Sequence, residues 1–184
     1  MEPGITPARR LRLRTHRRGR RLPRWLNASR ATREFWAAYK AAARLMHDRY
    51  TVVQMGDSPE MAIELTELML AGTKRATASL VRDFETTGEP LPQPGDYVIV
   101  VDGAYKPRCI WQTTEVTIKP LIQVDDAFAW DEGEGDRTRA SWLNGHRRYF
   151  ARQARREGFA IDDQIPTVFE RFKIVWPIDA ADRG

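Results

Sequence analysis

The 184-residue chain has one cysteine, so no internal disulfide can form, and the composition fits a reducing compartment such as the cytoplasm. That residue, Cys109, lies in Pro107-Arg108-Cys109-Ile110-Trp111, where a buried strand thiol is expected rather than a nucleophile. Histidine is scarce too: His16, His47 and His146 are scattered, no Cys/His pair has zinc spacing, and no metal is expected. No apolar run approaches the roughly 18 residues a membrane-spanning helix needs. Neither a G-x-G-x-x-G fingerprint nor a P-loop occurs, so no cofactor is expected.

What the chain has is enough apolar content, 42% of its residues, to bury one sizeable core, and its length argues for a single domain. Its net charge of +5 is unevenly distributed. Nine arginines lie in residues 1–24 against one acid, Glu2, which leaves a mildly acidic remainder of 21 cations and 24 acids. The basic segment has no periodic apolar face and is expected to be a disordered arm able to bind RNA phosphates nonspecifically. It reads equally as an extension upstream of a later start, since methionine does not recur until Met46. It lacks the apolar core, about 7 to 15 residues long, of a secretory signal.

Beyond the arm, Asn27 or Ser29 is positioned to cap a helix reaching about His47, with Phe35, Trp36, Tyr39, Ala43 and Met46 near helical spacing. Residues 50–55 read as a strand ended by Gly56-Asp57. A second helix begins at Pro59 under a Ser58 or Asp57 cap and runs to Gly72, a natural left-handed stop. Residues 76–81 form a strand or bent loop, 88–95 a proline-rich loop, and 96–101 a strong strand. Asp102-Gly103 signals a hairpin into a return strand, 108–118, stopped by Pro120. A short apolar patch, 127–130, precedes the acidic, glycine-rich loop 131–136. A basic helix covers 137–157, ended by Gly158, and a last strand covers 167–176. With no repeating βαβ unit, the order predicts an α+β fold, a small mixed or antiparallel β-barrel flanked by helices rather than a parallel doubly wound sheet. Expected boundaries are a helix at 27–48, the domain proper at 50–177 and a flexible tail at 178–184.

The stretch Gly72-Thr73-Lys74-Arg75-Ala76-Thr77 sets an amine and a hydroxyl three residues apart. Threonine attacks poorly at neutral pH unless a base takes its proton, and a desolvated lysine is one such base. In an extended chain the two side chains point to opposite faces, so cooperation requires a bend. Without one, Lys74 is a turn cation at the helix C-terminus and Thr77 a packed strand residue.

Six segments together resemble the ASCH domain, a PUA-like β-barrel family: Gly56-Asp57-Ser58-Pro59-Glu60, Leu70-Ala71-Gly72-Thr73-Lys74-Arg75-Ala76-Thr77, Pro94-Gly95-Asp96-Tyr97, Thr113-Thr114-Glu115-Val116, Glu132-Gly133-Glu134-Gly135-Asp136 and Glu170-Arg171-Phe172. Their order and spacing, more than any one of them, carry the likeness. The resemblance implies an RNA- or nucleoside-directed cleft beside the barrel. In short bacterial members a Lys, a Thr and a Glu are assigned to an amidohydrolase that deacetylates N4-acetylcytidine, which implies Lys74, Thr77 and Glu134 here, with Glu132 the other acid in the longer loop. Ala78-Ser79 replaces a bulky residue and an arginine of those members.

On this reading Thr77 attacks the acyl carbon, Lys74 moves the proton, Glu134 orients the lysine or polarises a deacylating water, and amides near Gly72 or Thr73 hold the oxyanion. Ser79, Trp130, Tyr149 and Arg171 are the substrate-binding candidates, although Arg171 reads equally as a cross-strand partner of an acid, and both aromatics as core. Other family members are credited with ribonuclease activity on single strands, which makes metal-independent cleavage of single-stranded RNA the second expectation and a non-catalytic RNA-binding module the third. The expected partner is a modified nucleoside or single-stranded RNA, with no membrane.

Overall fold

The computed structural model describes residues 28–182, so the arm expected at 1–24 lies outside the described residues. Helix α1 (Arg30–Ala43) starts under Ser29, whose hydroxyl accepts from the Thr32 amide at 3.1 Å. Strand β1 (Thr51–Gln54), helix α2 (Pro59–Leu70), strand β2 (Ala76–Leu80) and helix α3 (Val81–Thr87) follow. Strands β3 (Tyr97–Val101) and β4 (Pro107–Pro120) form the hairpin, and helices α4 (Asp126–Glu132) and α5 (Arg139–Glu157) lead to strand β5 (Pro166–Trp176).

The strands form one mixed half-barrel sheet in the order β1-β3-β4-β5-β2, with only β1 and β3 parallel. The long strands β4 and β5 are its spine, and shifts of register at Ile110/Trp111 and Thr113/Glu115 mark bulges that bend it. Strand β3 is apolar throughout because both its faces are covered. Val98 and Val100 pack with Met69, Trp111 and Ile174 beneath α2, while Ile99 and Val101 pack with Trp36 and Tyr39 of α1. A third cluster, with Leu80, Phe128, Trp142, Phe150 and Phe169, joins β2 and β5 to α4 and α5. No described helix is long and apolar enough to cross a membrane.

Several expectations need correction. Helix α1 stops at Ala43, four residues short of His47, because Arg44 turns to φ 53° and its amide caps the helix. Helix α3 was not expected, since Phe84 is its one fully buried anchor; the Asp83 carboxylate accepts from the Leu80 amide and starts it. The 127–130 patch belongs to α4, which Asp125 caps and which continues through Glu132, so the acidic loop begins only at Gly133. The tail is not free through Asp182: that carboxylate pairs with Arg75 at 2.6 Å and accepts from the Ile174 amide at 2.7 Å.

Candidate active site

The chain turns sharply just before Lys74. Helix α2 ends at Leu70 with Ala71 as its cap, Gly72 takes φ +87°, and the amides of Gly72, Thr73 and Lys74 turn back onto the carbonyls of Met69 and Leu68. This tight exit drops the Lys74 side chain inward, where it is 1% exposed. Its Nζ lies 2.6 Å from Glu134 Oε1, with the Glu132 carbonyl at 3.4 Å and Glu132 Oε1 at 3.7 Å. Every one of these neighbours is an acceptor, an arrangement suited to an ammonium that donates.

Strand β2 is at the edge of the sheet, and α4 covers its open side. The Arg75 amide donates to the Asp131 carbonyl at 2.6 Å and the Ala78 amide to Glu132 Oε1 at 3.0 Å. Glu132 is thereby held in the interior, its second oxygen accepting from Trp142 Nε1 and lying 3.4 Å from His146 Nε2. His146 stacks on Trp142, ring centroids 3.7 Å apart, and its Nδ1 is 3.1 Å from the Trp142 carbonyl. Both ring nitrogens thus face acceptors, which suits an imidazolium. Burial pushes the Glu132 carboxyl up, but the charges of His146 and Lys74 and the hydrogen bonds from His146 and Trp142 bring it well below the ordinary range. Burial pushes His146 down, and Glu132 and Glu134 outweigh it, leaving the imidazole raised. Two carboxylates and two cations therefore alternate from Glu134 through Lys74 and Glu132 to His146, so no buried charge stands alone.

A cavity of about 700 Å³ opens between β2, the α2 entry and α5. Thr77, Ser79, Glu132 and Glu134 line one side and Trp142, His146 and Tyr149 another. Thr77 and Ser79 share a face of β2 by the two-residue alternation, and neither hydroxyl has a hydrogen-bond partner among the described residues. Lys74 is not in the lining; its ammonium backs the two glutamates that are. No hydrogen bond joins Lys74 to Thr77 among the described residues. Nor is any group of three or more described His, Cys, Asp or Glu residues arranged to hold a metal.

Of the residues singled out in the sequence, Thr77, Glu134, Ser79 and Tyr149 line this cavity, and Lys74 touches it through Glu134. The others lie elsewhere. The Gly72 and Thr73 amides, expected to hold an oxyanion, already donate to α2 carbonyls. Trp130 is 58% exposed and carries the Arg137 guanidinium 3.8 Å above its ring. Arg171 takes the cross-strand reading: it pairs with its register partner Glu115 at 3.1 Å and with Asp131 at 2.8 Å. Sequence reasoning missed Trp142 and His146 and ranked Glu132 second. The signal available was the i, i+4 pair of Trp142 and His146 on one helix face.

The model of the ASCH domain family matches residues 51–176. A crystal structure of an ASCH domain from Lactobacillus crispatus is 30% identical, covers 80% of this chain and 95% of its own, and superposes with a TM-score of 0.71. A protein of known structure from Enterococcus faecalis is also 30% identical, over 77% of this chain and 86% of its own, with a TM-score of 0.72. No curated protein matches. Sequence match and backbone agree over the same strands and helices, and the chain belongs to the ASCH domain family.

Proposed function

We propose that the protein is an amidohydrolase that removes an acyl group from the exocyclic amine of a nucleobase, as in N4-acetylcytidine. The observation that carries the reading is the unpartnered Thr77 hydroxyl in a cavity whose wall also carries Glu134, held 2.6 Å from a buried lysine. Thr77 Oγ1 attacks the acyl carbon as Glu134 takes its proton; catalytic hydrogen bonds of this kind are often formed only once substrate is bound. Collapse of the tetrahedral intermediate breaks the C–N bond, and the departing amine takes that proton. Water then attacks the acyl-threonine, giving a proton to Glu134, which returns it to Thr77 Oγ1 as the acyl–oxygen bond breaks and the acid leaves. Because Lys74 faces only acceptors, its work is to hold Glu134 and place positive charge beside the reaction, and the Ser79 hydroxyl is the nearest candidate donor to the oxyanion on β2.

Cleavage of single-stranded RNA is less well supported, because Arg171, its expected phosphate partner, is committed to Glu115 and Asp131. The test is hydrolysis of N4-acetylcytidine by the purified chain with EDTA present. Lys74→Ala is expected to lower kcat/KM by about a hundredfold or more. Unchanged turnover in that variant, or RNA fragments in place of released acid, would overturn the reading.

A further inference from the structure

Helix α5 presents Arg148, Arg152 and Arg156 to the same cavity. Their four-residue spacing keeps them within an arc of about 80° and spreads them over about 12 Å of helix. Two of the three guanidinium groups share a single carboxylate: Asp57, in the loop before α2, lies 3.2 Å from Arg152 and 3.4 Å from Arg156. Arg148 is exposed and has no ion-pair or hydrogen-bond partner among the described residues. The other acids of the lining are engaged elsewhere: Glu132 and Glu134 with Lys74 and His146, and Asp83 with Gln153 and the Leu80 amide. Beside this row on α5, Trp142, His146 and Tyr149 give the same cavity its aromatic wall.

We infer that the arginine row of α5 is a phosphate subsite, so that the substrate is a phosphorylated nucleoside rather than a free one. The inference rests on the nucleoside reading above and adds the anion. A guanidinium fork matches phosphate oxygens two at a time, and a phosphate brings more charge and more acceptors than the Asp57 carboxylate now shared by Arg152 and Arg156. Arg148 supplies the donor that Asp57 does not use. A terminal phosphate and an internal phosphodiester present the same chemistry, and the substrates tested separate them.

The experiment compares kcat/KM of the full chain on N4-acetylcytidine, on its 5′-monophosphate and on a short single-stranded RNA containing the acetylated base. Calorimetric binding of cytidine and cytidine 5′-monophosphate runs alongside. A phosphate is expected to raise kcat/KM and affinity about tenfold or more, an advantage that shrinks with added salt. In the Arg148→Gln/Arg152→Gln double variant the advantage falls to about onefold, and Asp57→Asn increases it. The arginines of residues 1–24 are common to every form, so these differences report on α5. A gain limited to the monophosphate assigns a terminal phosphate, and one shared by the oligomer assigns the diester. Equal values with and without phosphate, or an advantage that survives the double variant, would overturn the inference. Arginine-dependent binding of cytidine 5′-monophosphate without any acyl hydrolysis would uphold the subsite and overturn the amidohydrolase reading.

Discussion

Glu132 holds the site together from the cavity wall. Its two oxygens hold the Ala78 amide and the Trp142 indole and stand between the buried Lys74 and the half-buried His146, so replacing it leaves both short of a counter-charge. Glu132→Gln is expected to lower the unfolding free energy by about 3 kcal/mol near pH 6, measured by urea titration. The loss should depend on pH with a definite sign. Glu132 is held below its ordinary 4.5, so its contribution is complete above that value and fades as pH falls through the lowered one. His146 is held above 6.5, so its contribution is complete below 6.5 and fades as pH climbs through the raised value. The gap between wild type and variant should therefore be widest between about 4.5 and 6.5 and narrow on both sides; a flat profile would mean that the two groups are not coupled. At this scale the sequence is only partly informative. Lys74 and Thr77 stand in a local motif, but Glu132 and His146 acquire meaning only when α4 and α5 meet, and nothing in their own neighbourhood announces a fourteen-residue separation bridged by a salt contact.

Strand β2 and the end of α4 form one device. The edge strand offers unpaired amides, and α4 answers with the Asp131 carbonyl and the Glu132 carboxylate before Gly133 turns the chain to bring Glu134 onto Lys74. Gly133 cannot be replaced quietly: it sits at φ +73°, and an added Cβ would fall 2.4 Å from the Thr73 carbonyl oxygen. Gly133→Ala is therefore expected to cost at least about 1–2 kcal/mol from the left-handed backbone alone, and to lower amide hydrolysis by moving Glu134. A variant with wild-type stability and turnover would show that the close seating of α4 on β2 is not needed. The strands and the three longer helices were legible because their apolar residues keep period two or 3.6 across many positions. Helices α3 and α4 were not, because seven residues with one or two buried anchors give periodicity too little length to register.

In the whole molecule the active elements meet where two cores abut. Thr77 and Ser79 project from β2 toward the cavity, while Ala76 and Leu80 of the same strand pack with Phe128 and Trp142. A curled five-stranded sheet with helices on both faces creates that seam, and the order of elements was enough to predict the class of fold. The location of the cleft was not predictable from order alone, because β2 and α5 are far apart in sequence and meet only in the folded cluster they share with β5 and α4. This arrangement gives Thr77 its free hydroxyl and Glu134 its lysine, and on it the proposed chemistry depends. The most direct measurement is the rate of acid release from N4-acetylcytidine by wild type, Thr77→Ser and Thr77→Val at equal folded concentration. Turnover is expected in wild type, with activity retained by the serine hydroxyl and a loss of about a hundredfold or more with valine; equal rates for Thr77→Val and wild type would rule out the threonine nucleophile.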